Sequence, residues 1–247
     1  MHTPADVLAD LLADDATRPA LTFYDDTAGP TAGERIELSR KVLNTWVAKA
    51  ANALQEGFDV QPGTVVRLDL PAPHWRTLYW ALAVWSVGAT VTVDAHEGAD
   101  VLVTTAPDSP AAEDADEVIA VTLPALAREF GTTLRPGVMD EAREIASYGD
   151  DFTPWDAPEP STPALVVDGR RTAYRDLVGP RPEPSGARVL VTTDDPATLL
   201  RQVLAVWSRL GSVVIVRGGS PRLDDPRMTS EGVTEVAGTG AGGPDAY

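Results

Sequence analysis

The sequence predicts an α/β protein made of two similar βαβ lobes, for three reasons. Residues 64–95 contain a β-branched run, an amphipathic helical stripe and a second β-branched run. Residues 188–217 repeat that order of elements. The pentapeptide Leu-Ala-Val-Trp-Ser occurs in both stretches, at 82–86 and 204–208, each time followed by a glycine and a strand-like run. Duplication explains the matching order better than chance identity or convergent packing.

The first unit has clear start and stop signals. A strand is predicted over 65–70, and it ends at Pro71 because proline has no amide hydrogen for the strand ladder. The next apolar residues share one face of a 3.6-residue repeat, which predicts a helix: Trp75, Leu78, Tyr79, Leu82 and Trp85. Gly88 stands where a helix commonly ends. The strand predicted over 90–93 should therefore run parallel to the first.

The second unit shows the same kinds of signal. A strand is predicted over 188–193, and Asp195 followed by Pro196 is typical of a helix N-cap and first helical residue. The buried stripe of that helix is predicted to consist of Leu199, Leu200, Val203, Val206, Trp207 and Leu210. Strands are predicted again over 212–217 and 233–236.

The rest of the chain is laid out around these units. Before the first unit we predict a helix capped by Thr3, a hairpin over 21–24 and 35–38, and a helix capped by Ser39 and ended by Gly57. After it we predict a strand at 101–104, an acidic loop at 106–117, a strand at 118–121 and a short helix at 122–130. The resulting division is a first α/β subdomain at 1–131, an irregular connection at 132–163, a second α/β subdomain at 164–237 and a disordered tail at 238–247.

Composition narrows the classes of partner and compartment. The formal net charge is −17, and such a surface repels phosphate backbones and anionic lipid, so we expect neither nucleic acid nor membrane as a partner. No apolar run reaches the ~20 residues of a membrane span, and the N-terminus lacks the features of a signal peptide. We therefore predict a cytoplasmic protein. The absence of cysteine excludes disulfides and thiolate metal sites.

Six segments of the sequence resemble a known family. They are Arg18–Asp26 (RPALTFYDD), Gly63–Trp75, Trp85–Ala95 (WSVGATVTVDA), Pro163–Val167, Thr172–Val178 and Leu199–Gly218. Together they resemble the N-terminal part of the adenylate-forming enzymes, the AMP-binding superfamily of acyl-CoA synthetases, luciferases and peptide-synthetase adenylation domains. The resemblance implies two flavodoxin-like α/β subdomains packed face to face.

Two departures from this family bear on function. The family carries a Ser/Thr/Gly-rich loop that holds the phosphates of ATP, and its counterpart here, residues 166–172, reads VVDGRRT. Asp168-Gly169 predicts a two-residue hairpin turn in its place. No lysine follows Lys49, so the family's catalytic lysine has no counterpart. Adenylation must stabilise a pyrophosphate leaving group, so we expect no adenylation by this chain alone and no cofactor, with AMP or ATP as the alternative ligand.

Two groups of residues are candidate sites. Arg170 and Arg171 are candidates for binding an anion, although an exposed turn with solvated arginines explains them as well. Asp94 and His96, with Glu97 and Asp100 nearby, follow a predicted parallel strand, where open α/β sheets place ligands. A metal site or a His–Asp base is the sharper interpretation there, and a structural turn the simpler one.

Other residues have simpler interpretations. His74 is interpreted as a partly exposed helix cap rather than a base. The tryptophans at helical spacing are interpreted as core rather than as the lining of an acyl pocket.

These observations favour a non-catalytic scaffold that serves as a binding or protein-interaction module, either as a homo-oligomer or with an unknown protein partner. The enzyme alternative is an acyl-adenylate or acyl-CoA ligase subunit that binds AMP or ATP and is completed by another chain. A third alternative, a small hydrolase that uses Asp94 and His96, has no nucleophile to support it.

Overall fold

The structure is a computed structural model that describes residues 1–238. Its first half contains α1 (Pro4–Asp15), β1 (Pro19–Asp25), β2 (Arg35–Ser39), α2 (Arg40–Asn52), a π-helical turn (Ala53–Gly57), β3 (Val65–Asp69), α3 (Trp75–Val87), β4 (Thr90–Thr92), β5 (Val101–Thr104), α4 (Pro110–Asp114) and β6 (Glu117–Ala120). Its second half contains β7 (Val138–Asp140), α5 (Glu141–Glu144), a 3-10 turn (Ile145–Ser147), β8 (Pro163–Val167), β9 (Arg170–Ala173), α6 (Tyr174–Leu177), β10 (Arg188–Val191), α7 (Pro196–Trp207), β11 (Ser212–Arg217), α8 (Pro226–Ser230) and β12 (Glu235–Val236).

The strands form two sheets around one main core. The five-stranded sheet has the order β12-β10-β11-β1-β2, and the seven-stranded sheet has the order β7-β6-β5-β3-β4-β8-β9. Neighbouring strands are parallel except in the hairpins β1–β2 and β8–β9. Alternate residues of both sheets and the apolar faces of α1, α2, α3 and α7 belong to the same hydrophobic cluster. The predicted α/β class is confirmed, and the structure shows two sheets made mainly of parallel strands.

Both predicted βαβ units are present. The first is β3-α3-β4 and the second is β10-α7-β11, and each pair of strands is parallel. Gly88 ends α3 in the left-handed conformation with φ 89°, and the Asp195 side chain caps α7 by accepting from the Thr198 amide. These signals were predictable because each depends on residues within one helical turn.

Each unit receives its neighbouring hairpin from the other half of the chain. Hairpin β1–β2, near the N-terminus, pairs with β11, whereas hairpin β8–β9 pairs with β4. The two hairpins carry the same register irregularity, after Pro19 and after Pro163. The two tryptophans of the repeated pentapeptide make equivalent bonds: Trp85 Nε1 donates to the Ala164 carbonyl at 2.7 Å, and Trp207 Nε1 donates to the Ala20 carbonyl at 3.0 Å.

This exchange crosses the predicted boundaries in both directions. Strands from the predicted first subdomain complete the five-stranded sheet, and β8–β9, from the predicted second subdomain, completes the seven-stranded sheet. Sequence periodicity indicates where strands lie but not which strands pair, because pairing is a long-range contact.

Two local predictions were wrong. Residues 122–130 form turns instead of a short helix, because their backbone donors bond to carboxylates from elsewhere: the Ala125 amide to Glu34 at 3.2 Å and the Phe130 amide to Asp140 at 2.9 Å. The connection at 132–163 is not irregular throughout, since β7 and α5 lie within it.

No helix within residues 1–238 has the length and apolar character needed to cross a bilayer. The cytoplasmic location stays a prediction. The predicted disordered tail lies outside the described residues except for Gly238.

Candidate functional site

A cleft of about 340 Å³ lies where the carboxyl ends of strands from the two sheets come together. Thr27 and Arg217 reach it from the ends of β1 and β11, and Thr105 and Val121 reach it from the ends of β5 and β6. The turn segment that contains Leu123 closes one side. Open α/β sheets place ligands outside the carboxyl ends of their strands, so this carboxyl-end cleft is the candidate site.

An ion pair between a buried aspartate and a partly exposed arginine lies beside the carboxyl-end cleft. Asp25 is fully buried, and its carboxylate accepts from Arg217 at 3.0 Å, from the Thr27 amide at 2.9 Å and from the Thr27 hydroxyl. Burial by itself would raise the pKa of Asp25, but the hydrogen bonds from Thr27 and Thr31 and the charge of Arg217 together lower it. Arg217 is thus held by a charged partner from its own protein.

A second arginine beside the cleft is bound in the same way. Arg227 makes a bidentate contact with Asp26, with both N–O distances 2.8 Å, and its guanidinium lies 4.6 Å from the centre of the Tyr24 ring. Both arginines at this end of the five-stranded sheet are therefore neutralised internally, and the cleft is left with threonine hydroxyls and apolar side chains. Such a lining, with apolar side chains and a few polar groups, suits ligand binding.

His74 lies in the interior, so its predicted partial exposure was wrong. It is completely buried, and its ring centre is 4.6 Å from that of Phe23 in the other sheet. Its Nδ1 accepts from the Arg76 amide at 3.1 Å and caps α3, while its Nε2 is buried with no partner among the described residues. Burial, with smaller contributions from Arg76 and Arg217, lowers the pKa of His74 to about 3, so the ring is neutral at pH 7.

A buried charged group escaped the sequence analysis altogether. Arg76 and Glu141 are 2% and 0% exposed, and Arg76 donates to Glu141 at 2.6 Å. The Tyr79 hydroxyl donates to the same carboxylate oxygen. Burial raises the pKa of Glu141, although Arg76 and Tyr79 oppose that rise. An arginine within an otherwise apolar helix was the available signal, since an isolated buried charge needs a partner.

The predicted group at 94–100 does not form a single constellation. The Asp94 carboxylate accepts from the backbone amide of His96 at 2.9 Å, which is the bonding of a structural turn, and His96 is exposed. Asp100 bonds to the Val65 amide at 2.7 Å, at the opposite, amino end of β3. Within residues 1–238, no three His, Asp or Glu side chains are grouped to hold a metal ion. A functional role for Asp94 and His96 stays a prediction.

Comparisons with known proteins place this chain in a family. No family model matches it. It is 32% identical over 240 residues to a Mycobacterium tuberculosis (strain ATCC 25618 / H37Rv) protein described as "TIGR03089 family protein", covering 93% of this chain and 96% of that protein. The chain belongs to the TIGR03089 family.

Several solved structures share the fold of this TIGR03089 family member. A Brucella canis acyl-CoA synthetase matches with a TM-score of 0.68 and 18% identity, over 95% of this chain and 46% of its own. Acetoacetyl-CoA synthetase from Streptomyces lividans matches with a TM-score of 0.66 and 18% identity, over 90% and 40%. A Mycobacterium tuberculosis fatty acyl CoA synthetase matches with a TM-score of 0.66 and 12% identity, over 96% of this chain and 49% of its own. The chain has the fold of one part of these enzymes and spans about half their length or less.

The TIGR03089 family member has a tight turn where the resemblance implies a phosphate loop. Asp168 and Gly169 have φ of 50° and 71°, and the flanking residues Val167 and Arg170 are paired across the hairpin. This is the predicted two-residue hairpin turn. Arg170 and Arg171 are both exposed. Arg171 lies 3.6 Å from Glu97, so the two groups of candidate residues meet in one surface contact.

Proposed function

We propose that this protein is a non-catalytic binding module built on the N-terminal fold of acyl-CoA synthetases. The observation that carries the proposal is the two-residue turn at Asp168-Gly169. A turn of this length has no run of free amides and hydroxyls with which to surround a triphosphate. The nearest cations, Arg170 and Arg171, are exposed to solvent, where each contributes little to binding an anion.

The charges of the carboxyl-end cleft support the same function. Asp25 holds Arg217, and Asp26 holds Arg227, so neither arginine is free to stabilise charge that develops on a leaving group. Both lysines of the chain, Lys41 and Lys49, lie on α2, and Lys49 is paired with Asp150 at 2.7 Å. The cleft is therefore suited to hold a ligand without transforming it.

The test is ATP–pyrophosphate exchange by the purified protein with a panel of carboxylic acids, and heat-denatured protein is the control. We expect the two samples to give the same label incorporation. Incorporation above the control that depends on one carboxylic acid would overturn the non-catalytic proposal.

The second candidate function is a ligase-type subunit that binds AMP or ATP and is completed by another chain. The carboxyl-end cleft favours it, because ligands in this fold class bind at that end of the sheets. Calorimetry with AMP and a non-hydrolysable acyl-adenylate analogue separates the two candidates. Stoichiometric binding that an Arg217→Ala substitution weakens would favour the subunit, and Arg201→Ala, at an exposed arginine of α7, is the matched control.

A protein partner or a homo-oligomer is also proposed. Leu126 and Trp155 are 93% and 63% exposed, which is high for large apolar side chains. Light scattering of the wild type and of the Leu126→Ser, Trp155→Ser variant checks self-association. A monomeric mass for both proteins at micromolar concentration would contradict the homo-oligomer.

A further inference from the structure

A second cavity lies at the amino ends of the parallel strands in the five-stranded sheet, away from the carboxyl-end cleft. Its volume is about 440 Å³. Pro19, Arg188 and Ser212, the first residues of β1, β10 and β11, all line it. Strand β1 is seven residues long, so the cavity and the cleft are separated by about 20 Å of sheet.

Arginines dominate the charged lining of this amino-end cavity. The charged residues that line it are Arg18, Arg35, Arg40, Arg188, Glu37 and Glu231. Asp14 also contributes charge, because its carboxylate lies 2.6 Å from Arg40 and 3.8 Å from Arg18. The lining itself therefore holds four arginines and two carboxylates, in a protein whose formal net charge is −17, while Asp14 and Asp15 act on Arg18 and Arg40 from outside the lining.

The carboxylates of the cavity are already engaged. Glu231 is 7% exposed and accepts from Arg35 at 2.9 Å, from Arg188 at 2.6 Å and from the Tyr24 hydroxyl. Glu37 accepts from Arg35 at 2.8 Å and from the Thr22 hydroxyl at 3.2 Å. Neither carboxylate has a buried oxygen without a partner.

The arginines, in contrast, have donors to spare. The Nε groups of Arg40 and Arg188 are buried and have no hydrogen-bond partner among the described residues, and Arg40 is only 1% exposed. The Arg18 side chain is half exposed, and its nearest carboxylate is 3.8 Å away. The lining holds more arginines than carboxylates, and the half-exposed Arg18 presents donors that a ligand can reach, so the cavity is matched by a ligand that accepts hydrogen bonds and carries negative charge.

The residue equivalent to Arg40 in the other half of the chain is Tyr174, and it leaves no hydrogen-bond donor unpaired. Arg40 begins the helix after hairpin β1–β2, and its Nη2 donates to the Leu210 carbonyl, just beyond α7, at 2.7 Å. Tyr174 begins the helix after hairpin β8–β9, and its hydroxyl donates to the Ala89 carbonyl, just beyond α3, at 2.7 Å. Tyrosine closes its junction with no donor left over, whereas arginine performs the same task and retains an unpaired N–H.

We propose that the amino-end cavity binds the phosphate group of a small phosphorylated molecule. Guanidinium groups bind phosphate through paired N–H donors, and several of them converge here. A volume of about 440 Å³ exceeds that of a bare phosphate and falls within the range of small-molecule sites, so the ligand carries an organic part beyond its phosphate. This site goes beyond the proposed function, because it lies at the opposite end of the sheet from the nucleotide position of the second candidate function.

The experiment is calorimetric titration of the full chain at low chloride concentration with inorganic phosphate, glycerol 3-phosphate and sulfate. We expect one binding site, with glycerol 3-phosphate bound more tightly than phosphate and phosphate more tightly than sulfate. Arg18→Ala is expected to weaken glycerol 3-phosphate binding about tenfold, the equivalent of one charged hydrogen bond. Arg18→Glu should abolish it. Arg201→Ala, at an exposed arginine of α7, is the matched control and should bind as the wild type does.

Each outcome decides the proposal. Non-saturable heats with all three anions, or equal binding by the wild type and both Arg18 variants, would overturn it. Binding of inorganic phosphate or sulfate in preference to the ester would also overturn it, because the site would then be a simple anion site. Thermal melts establish that the Arg18 variants are folded, which their half-exposed side chain favours. A positive pyrophosphate exchange would overturn the non-catalytic function and leave this result unaffected.

Discussion

Helices α3 and α7 occupy equivalent places in the two βαβ units, yet their surroundings differ. Every residue of α3 except Ser86 is buried, whereas half of the twelve residues of α7 are buried. Tyr79 and Arg201 both lie three residues before the repeated pentapeptide; the first is fully buried and the second is exposed. The helix of the βαβ unit is therefore almost fully buried in one copy and half buried in the other.

The difference shows how burial changes the polar groups of a helix. The start of α3 contains His74 and the Arg76–Glu141 pair in the interior, and the pKa of His74 falls as a result. The start of α7 uses Asp195, a common N-cap, in contact with solvent. The internal polar groups of α3 should therefore control stability, while comparable changes on α7 should have little effect.

The largest effect is expected from removing one partner of the buried ion pair. Arg76→Met leaves Glu141 buried without its cation, and breaking such a pair costs about 3–5 kcal/mol. Urea unfolding at pH 7, followed by tryptophan fluorescence, measures the change in free energy of unfolding.

The matched control for this change is Arg201→Met on α7, which should stay within about 0.5 kcal/mol of the wild type because its site is exposed. The double variant Arg76→Met, Glu141→Leu should recover most of the loss, since no charge is then left unpaired. Equal losses from Arg76→Met and Arg201→Met would remove the proposed difference between the helices.

A pH-dependent effect is expected from His74. Its pKa in the folded state is about 3, below the unfolded value of 6.5, so folding favours the neutral ring. This contribution is complete above pH 6.5 and decreases by about 1.4 kcal/mol per pH unit as the pH falls toward 3. At pH 5 the wild type should have lost about 2 kcal/mol, whereas His74→Asn, which retains a capping acceptor, should not show this loss.

Unfolding measured from pH 7.5 to 5 for the wild type, His74→Asn and the exposed control His96→Asn tests this. The His96→Asn curve should run parallel to that of the wild type. If the His74→Asn curve also does so, His74 does not titrate as its burial requires.

The sequence predicted those features that depend on neighbours along the chain. The Thr3 helix cap, the Gly88 helix end and the Asp168-Gly169 turn are all present, since each is determined by a few adjacent residues. The pairing of β1 with β11 could not be predicted, because the paired residues are about 190 positions apart in the sequence. The burial of His74 could not be predicted for the same reason, since the residue that covers it, Phe23, is distant in the sequence. The carboxyl-end cleft and the amino-end cavity both depend on such distant contacts.

The exchange of hairpins between the two halves predicts equal effects from the two repeated tryptophans. Trp85→Phe and Trp207→Phe each leave a buried carbonyl without its donor, that of Ala164 and that of Ala20 respectively. Each should lower the free energy of unfolding by about 1.5 kcal/mol. Urea unfolding monitored by circular dichroism, which does not depend on the mutated fluorophore, gives both values. A cost for one variant several times that for the other would show that the two exchanged contacts are not energetically equivalent.

The smallest effect is expected at the turn of hairpin β8–β9. Gly169 has a φ of 71° in a two-residue turn, and a Cβ at that position would meet no atom within 4 Å, so Gly169→Ala introduces backbone strain alone. We expect a loss of about 1 kcal/mol in the free energy of unfolding. Gly98, which has no positive φ and is equally open, is the matched control, and Gly98→Ala should be neutral or slightly stabilising. A neutral Gly169→Ala would mean that the turn relaxes readily into another loop conformation, and it would weaken the case that a rigid hairpin replaces the phosphate loop.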